Sequence, residues 1–274
     1  MEDATAKVSE HDIERALRSL GIDGGVEVHS SLSSFGHVEG GADAVVDALV
    51  ATFPLVIAPA FTWLTWAPPP PGVCMERNGV TEEWLKIWQK PPQAWRPDMP
   101  AHKGIGVIPE TLRKRPGAVR STHPTHSFAA IGAGAGEILA SQSLENPLAP
   151  IEELLMRRGG WVLMLGVRIG SCTAIHQCER LAGRPFFIRW AVDQTGRTVE
   201  TRVPMCTGGY YRFEPLLAPV ARETKIGGAR VVAYPGRPFM EICTGAIRRN
   251  PEILVCRPTC VYCHDQNAGG PIVR

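Results

Sequence analysis

Apolar positions near the N-terminus of the chain repeat with the period of an amphipathic helix. From Ile13 to Leu20 every third or fourth residue is apolar, so these side chains share one helical face. Ser9 followed by Asp12 is typical of a capping box, and Gly21 is a typical helix end. The pattern predicts a first helix between Ser9 and Gly21.

Strand patterns and helix patterns alternate along the rest of the chain. Further helices are predicted over residues 42–52, 109–115, 136–141, 151–158, 173–181, 215–224 and 241–249. Strands are predicted over residues 26–29, 55–58, 127–131, 161–167, 188–192, 197–203 and 230–233. The strand at 161–167 is the most apolar, which is typical of a buried parallel strand. The alternation favours an α/β fold with a mixed, mainly parallel central sheet and flanking helices.

Residues 61–104 interrupt this alternation. They contain five of the seven tryptophans and the proline run at 68–71. Such a segment after a strand is either an insertion that forms a cleft wall or a surface excursion whose rings pack on the body. With no repeat or flexible linker in the sequence, we expect one domain over residues 1–274. It would carry this Trp/Pro-rich insertion and a Cys-rich C-terminal subregion at 205–274.

Composition and charge exclude several classes of protein. The 274 residues are 44% hydrophobic, and 29 Lys and Arg nearly balance 27 Asp and Glu, which argues against disorder and nucleic-acid binding. The apolar runs are shorter than the roughly 20 residues of a membrane-spanning helix, and the polar segment 1–12 is unlike a signal peptide. We expect a cytoplasmic monomer or homodimer with no nucleic-acid or membrane partner. Its eight cysteines should be reduced.

Two polar segments, 29–32 and 120–127, each adjoin a predicted strand. The first leads through glycines into a helix, which suits an anion site or an ordinary capped turn. The second combines an arginine with hydroxyls and imidazoles, which suits phosphate binding or a polar turn whose histidines bond to the backbone. The candidate residues are His29, Ser30, Ser31 and Leu32 in the first segment, and Arg120, Ser121, His123 and Ser127 in the second.

A third segment, 170–179, follows the most apolar strand and opens a helix. Ligands of α/β proteins bind at the carboxyl ends of such strands. His176 and Glu179 share a helical face, and a carboxylate beside an imidazole fixes its tautomer. Cys172 lies four residues before His176, so a Cys–His nucleophilic pair is an alternative, as is a purely structural histidine.

Cysteines cluster near the end of the chain. Cys256, Cys260 and Cys263 have spacings typical of metal ligands in a reduced protein. A closed tetrahedral site needs a fourth ligand, for which Cys206 is the distant candidate and His264 the local one. We expect structural zinc here, and three free thiols are the alternative.

In their order and spacing, these segments resemble the aminoglycoside 3-N-acetyltransferase family, which has the antibiotic N-acetyltransferase fold. The resemblance runs from about residue 9 to 255. The motifs that carry it are VHSSL at 28–32 with Gly40-Gly41, APAFT at 58–62, GVIPE at 106–110, RPGAVRS at 115–121, HPTHS at 123–127, LGV at 165–167 and TAIH at 173–176.

The resemblance implies transfer of an acetyl group from acetyl-CoA to an amine of an aminoglycoside-like acceptor. It implies that His176 is the catalytic base and that Glu110 faces the active site. It also implies that the turn at 29–32 and the loop at 120–124 line a CoA groove. The Cys-rich tail resembles one branch of the family, which carries a cysteine at the position of Cys206.

The chain departs from the family at one position and in its charge. Gly170 stands where better-known members carry an acidic residue, so Glu110, Glu179 or Glu223 would have to orient His176. Aminoglycosides are polycations that favour a site rich in carboxylates. The insertion holds Glu76, Glu82, Glu83 and Asp98 but as many cations. Two alternatives therefore stay open, an N-acetyltransferase of a metabolite amine and a non-catalytic CoA-binding relative.

Overall fold

The computed structural model describes residues 7–274; residues 1–6 of the polar N-terminal segment discussed above lie outside it. The α-helices are α1 (Glu10–Ser19), α2 (Gly41–Thr52), α3 (Glu82–Trp88), α4 (Val107–Lys114), α5 (Ala135–Ala140), α6 (Ala149–Glu152), α7 (Ala174–Leu181), α8 (Glu214–Leu217), α9 (Gly236–Arg249) and α10 (Val261–Asn267). The first helix has the predicted capping box between Ser9 and Asp12.

The strands include several that the sequence pattern did not indicate. They are β1 (Val26–Ser30), β2 (Leu55–Pro59), β3 (Trp66–Ala67), β4 (Met75–Arg77), β5 (Val119–Arg120), β6 (Phe128–Gly132), β7 (Trp161–Leu165), β8 (Phe187–Val192), β9 (Thr198–Val203), β10 (Arg222–Ile226), β11 (Ala229–Pro235) and β12 (Ile272–Val273).

The central sheet has the strand order β10-β11-β7-β1-β2-β6-β5 within the described residues. Its middle is parallel, because β1 pairs in parallel with both β7 and β2. The pairs on either side, from β7 out to β10 and from β2 out to β5, are antiparallel. The α/β class with a mixed sheet is confirmed, and the mainly parallel direction is wrong. Burial on both faces makes a strand apolar whichever way its neighbour runs.

Helices cover both faces of this sheet. Apolar side chains of α1, α2 and α4 pack on one face, and those of α5, α6, α7 and α9 pack on the other. Successive side chains of a strand point to opposite faces. In β1, Val26 and Val28 belong to the core on the α1 side, so Glu27 and His29 point toward the α7 side.

The insertion and the hairpin of β8 and β9 lie beside the central sheet. Strand β3 adds to this hairpin, which forms as predicted at residues 188–203, and β4 pairs with β12 near the chain end. Trp66 and Trp84 pack against Phe187 and Val203 in a small core of their own.

The predicted helix at 215–224 is wrong in its second half. Helix α8 ends at Leu217, a short 3-10 turn follows at Ala218–Val220, and the chain then enters β10. Pairing of Arg222–Ile226 with β11 overrides the local preference. Within residues 7–274, no helix is both long and apolar enough to cross a membrane.

Candidate active site

A polar groove opens where β1 ends. Strand β1 runs into a 3-10 turn at Leu32–Phe35, so hydroxyls and backbone groups face a cavity of about 710 Å³. We call this cavity the serine groove. Its lining includes His29, Ser30, Ser31, Leu32, Ser33, Gly104, Ile105, Gly106, Pro109, Val167, Ser171 and Thr173. The four candidates of the first polar segment therefore share one surface.

His29 is held at the floor of the serine groove by a buried carboxylate. Its Nε2 lies 2.6 Å from Glu27 Oε1, and Glu27 is fully buried. The backbone N–H of Thr173 points at the same Nε2 from 3.3 Å. This pair ties the end of β1 to the start of α7.

A second cavity, of about 370 Å³, is walled by rings. We call it the aromatic pocket. Its lining includes Phe61, Trp63, Trp66, Glu83, Trp84, Ile87, Ile105, His126, Ser171, Thr173, His176, Met205, Thr207 and Tyr262. The insertion thus forms a cleft wall through three of its tryptophans. Trp95, which is 2% exposed, packs into the body instead.

His176 lies in the first turn of α7 and lines the aromatic pocket, while its Nδ1 side is held by two partners. Its Nδ1 lies 3.0 Å from Glu179 Oε1 and 2.5 Å from the hydroxyl of Tyr210. Tyr210 also donates a short hydrogen bond to Glu179. Burial, followed by the nearby Glu179 carboxylate, raises the pKa of Tyr210 well above its usual value, so the phenol stays a donor.

Of the three carboxylates that the sequence left open, Glu179 is the one in contact with His176. Its second oxygen, Oε2, lies 3.5 Å from the Arg184 guanidinium. With Nδ1 engaged by Glu179 and Tyr210, Nε2 is the ring nitrogen of His176 without a hydrogen bond among the described residues. This arrangement leaves Nε2 as the nitrogen able to accept a proton from a molecule in the aromatic pocket.

The two cavities meet at three residues. Ile105, Ser171 and Thr173 line both the serine groove and the aromatic pocket. Two molecules bound side by side in the two cavities would therefore touch at the start of α7, next to His176. That geometry suits a group transfer between them.

His126 of the second polar segment lines the aromatic pocket, but the four candidates of that segment, Arg120, Ser121, His123 and Ser127, line neither cavity. Arg120 donates to Ser127 Oγ at 3.0 Å, to the Ala60 carbonyl at 2.6 Å and to the Met99 carbonyl. Its guanidinium therefore ties the insertion to the sheet. Ser127 Oγ in turn donates to Ala60 at 2.8 Å.

Ser121 and His123 also have internal partners. Ser121 Oγ accepts the Phe128 N–H at 2.9 Å, and His123 Nε2 lies 3.0 Å from Thr201 Oγ1. Burial lowers the pKa of His123 to about 3, so this ring is neutral. With Arg120, they line a different surface groove near residue 194. We assign these four candidates to the framework of the site.

Glu110 and Glu223 lie in ion pairs away from His176. Glu110 accepts from Arg113 at 2.7 and 2.9 Å, and it pairs with Lys114 at 3.0 Å. Burial opposes its ionisation, but these bonds and one from a backbone N–H outweigh it and lower its pKa to about 2. Glu223 pairs with Arg230 on the β10–β11 hairpin. Neither carboxylate lines the two cavities.

Cys172 lies close to the site but points into the core. It is fully buried and is absent from the lining of both cavities. Burial, with a further contribution from the Glu27 carboxylate, raises the pKa of its thiol well above the usual value. A nucleophilic cysteine needs a thiolate that can reach its substrate, and this thiol is neither ionised nor accessible.

Four sulfur atoms converge beside the aromatic pocket. Cys206 Sγ lies 3.5 Å from Cys256 and 3.8 Å from Cys260, and Cys263 lies 3.7 Å from Cys256. All four lie within 4.8 Å of one another. Gly208 lets the chain approach, because a Cβ there would sit 2.5 Å from the Cβ of Cys256. His264 points outward and contacts Asp265.

The sequence interpretation did not identify Tyr210 or Glu27 as parts of the site. Tyr210 sits in a 3-10 turn that follows a glycine pair, with no motif around it. Glu27 gave a usable signal, since an acidic residue inside an otherwise apolar strand must find a partner when buried.

The comparisons with known proteins agree with the fold and with the resemblance. Residues 28–247 match the family model described as aminoglycoside 3-N-acetyltransferase. Aminoglycoside N(3)-acetyltransferase VII of Streptomyces paromomycinus is 36% identical over 186 residues, which cover 62% of this chain and 60% of the relative. The chain thus spans less than two thirds of that relative's length.

Two solved structures are similar over nearly the whole chain. The crystal structure of the YokD protein from Bacillus subtilis has a TM-score of 0.76 and 27% identity, and covers 92% of this chain and 97% of its own. The structure of AAC-IIIb in a binary complex with CoASH has a TM-score of 0.69 and 25% identity, and covers 89% of this chain and 97% of its own.

Proposed function

Because the chain belongs to the aminoglycoside 3-N-acetyltransferase family, we propose that it transfers an acetyl group from acetyl-CoA to an amine. The observation that carries the proposal is the meeting of the two cavities beside the anchored His176. The similar structure of AAC-IIIb is a binary complex with CoASH, and the relative from Streptomyces paromomycinus is an aminoglycoside N(3)-acetyltransferase. Aminoglycosides are therefore the first acceptors to assay.

In this mechanism acetyl-CoA occupies the serine groove and the acceptor occupies the aromatic pocket. The amine nitrogen attacks the thioester carbonyl carbon, and the carbon–sulfur bond breaks. His176 Nε2 takes the proton from the attacking nitrogen, while Glu179 and Tyr210 hold the ring through Nδ1. CoA leaves as the thiolate and takes up a proton from water, and His176 then releases its proton to water. Imidazole suits proton removal near neutral pH.

Transfer occurs in one step, without an acetyl-enzyme. The buried Cys172 supports this choice, because its thiol lines neither cavity. A one-step reaction requires both substrates to be bound together, so initial rates should follow sequential rather than ping-pong kinetics.

We also propose that Cys206, Cys256, Cys260 and Cys263 hold a structural zinc ion. Zinc–sulfur bonds of about 2.3 Å in a tetrahedron place the sulfurs about 3.8 Å apart. The sulfur separations of 3.5–3.8 Å given above fit that requirement. The ion would cross-link the chain near residue 206 to the C-terminal segment and take no part in the chemistry.

The substitution His176→Ala tests the proposed base. We expect kcat to fall at least about 100-fold, since proton transfer by a positioned side chain contributes about 10²–10⁴-fold. Release of the CoA thiol from acetyl-CoA, with aminoglycosides and simple amines as acceptors, measures this change. Affinity for acetyl-CoA should stay the same, because His176 does not line the serine groove.

His11→Ala is the matched control, because His11 is an exposed histidine on α1. A His176→Ala enzyme as active as this control would overturn the assignment of the base. Saturable acetyl-CoA binding without turnover on any amine would instead favour the non-catalytic CoA-binding alternative.

A further inference from the structure

The charges around the aromatic pocket differ from those that a polycation requires. Among the described residues that line it, Glu83 is the carboxylate and no Lys, Arg or Asp is present. Two other acids of the insertion are paired elsewhere, Glu76 with Arg274 and Asp98 with Arg96. The acidic residues that the sequence offered for an aminoglycoside site thus do not gather on its wall.

A buried cation lies behind this wall. The Arg189 guanidinium sits 4.2 Å from the ring centre of Trp84, which lines the aromatic pocket. It donates to the carbonyls of Asn78 and Gly79 at 2.8 and 2.9 Å. No carboxylate lies within ion-pair distance of it among residues 7–274. Burial lowers its pKa only to about 9, so it is positive at neutral pH and repels further cations nearby.

The rings of the pocket are fixed in place and enclose a small volume. Trp66 and Trp84 are about 95% buried and meet edge to face at 5.0 Å. Phe61 packs on His126 at 4.5 Å, and burial holds the pKa of His126 well below its usual value, so that ring is neutral. At about 370 Å³, the cavity is near the lower end for small-molecule sites.

Resting on the proposed function, we infer that the acceptor is a small amine with an aromatic or aliphatic body and a single ammonium group, rather than a polyamine. The apolar body packs against Trp66, Trp84 and Phe61. The exposed Glu83 attracts the ammonium as it enters, and His176 removes its proton at the junction with the serine groove. Glu83 could pair with one ammonium group of a polyamine, and the others would be desolvated near Arg189 without a carboxylate to pair with them.

Binding is measured separately from turnover. The full-length protein is saturated with CoA, and 2-phenylethylamine, 2-phenylethanol and the polyamine neamine are titrated by calorimetry. We expect 2-phenylethylamine to bind at least about tenfold more tightly than neamine, because a preorganised ring-lined site favours an apolar body. Tighter binding of neamine, or no binding of 2-phenylethylamine, would overturn the inference.

Glu83→Gln sharpens the test, and Glu82→Gln is the matched control because Glu82, its neighbour on α3, does not line the pocket. Glu83→Gln should weaken the binding of 2-phenylethylamine about threefold, as expected for an exposed charge pair, and leave the binding of 2-phenylethanol unchanged. Equal effects of the two variants would contradict the role of Glu83.

Turnover with acetyl-CoA then separates the two proposals. If 2-phenylethylamine binds more tightly than neamine and is acetylated, both the inference and the proposed function are supported. If it binds in this way but no amine is acetylated, the proposed function fails while the character of the pocket stands. Efficient acetylation of neamine, with a higher kcat/KM than 2-phenylethylamine, supports the proposed function and overturns the inference.

Discussion

The serine groove and the aromatic pocket adjoin each other but are built from different parts of the chain. The groove comes mainly from the carboxyl ends of β1 and β7, from the loops that follow them and from residues 104–109. The pocket comes from the insertion, the segment around residue 205 and the helix α10 near the chain end. The difference teaches that the common fold supplies most of the proposed cosubstrate site, while peripheral segments supply most of the proposed acceptor site.

Metal removal is expected to have the largest effect that distinguishes the aromatic pocket from the serine groove. Met205 and Thr207 line the aromatic pocket on either side of Cys206, and Tyr262 lines it next to Cys263. Treatment with a chelator should loosen this wall and raise the acceptor KM at least about tenfold, the lower range for lost support of a site. Steady-state kinetics with the best acceptor, together with metal analysis of the protein, measures the change.

Binding of acetyl-CoA is the internal reference for that experiment and should change little, because none of the four cysteines lines the serine groove. Cys74→Ser is the control variant, since Cys74 is exposed and outside the cluster. If the metal-free protein lost affinity for the acceptor and for acetyl-CoA equally, the aromatic pocket and the serine groove would not be independent. A protein that contains no zinc as purified would remove the basis of the proposal.

The substitution Ser30→Ala is expected to have a smaller effect, and this effect should be on acetyl-CoA binding rather than on the acceptor. Ser30 Oγ is buried, borders the serine groove and has no hydrogen-bond partner among the described residues. A hydroxyl in this state is suited to bond with the bound cosubstrate, and its loss should weaken acetyl-CoA binding about five- to tenfold. Calorimetry with acetyl-CoA measures the loss, and binding of the acceptor should not change.

Ser141→Ala is the control for this substitution, because Ser141 lies on the far end of α5 and bonds to its own helix. Weaker acceptor binding in Ser30→Ala, with acetyl-CoA binding intact, would reverse the assignment of the two cavities.

The smallest effect on activity is expected from Glu110→Gln, which tests whether this residue belongs to the framework rather than to either cavity. Its pKa of about 2 lies below its ordinary value of 4.5, so the ionised form stabilises the fold. That contribution is complete above pH 4.5 and is lost as the pH falls toward 2. At pH 7 the variant should lose about 1–2 kcal/mol of unfolding free energy, and keep kcat within about twofold.

Urea unfolding at pH 7 and at pH 4 measures that contribution. The difference between Glu110→Gln and the natural protein should be smaller at pH 4. A large loss of kcat without a loss of stability would return Glu110 to the active site, where the family resemblance had put it.

The local sequence pattern was sufficient to predict the elements at the centre of the sheet and the helix that carries His176. The predicted ranges of α1, β1, α2 and β7 agree with the structure to within a few residues, because each buries a face whose period shows in the sequence. The pairing of His176 with Glu179 could also be predicted, since the two residues are one helical turn apart. Such features depend on neighbours in sequence.

Features that depend on contacts between residues far apart in the sequence could not be predicted from local pattern. The direction of β10 and β11, the internal bonds of Arg120, and the position of Tyr210 beside His176 are decided by packing between remote segments. Arg189 is the clearest case, because nothing local indicates that an arginine will be fully buried against Trp84. The acceptor preference that we infer depends on these same contacts.

The distance along the chain between the residues of the aromatic pocket has a consequence for its assembly during synthesis. The serine groove needs nothing beyond Thr173 for its lining, whereas the aromatic pocket is incomplete until Tyr262 has been added. Translation proceeds at about 5–20 residues per second, so these events are separated by several seconds. A nascent chain therefore has all the lining of its proposed cosubstrate site before it can select an acceptor.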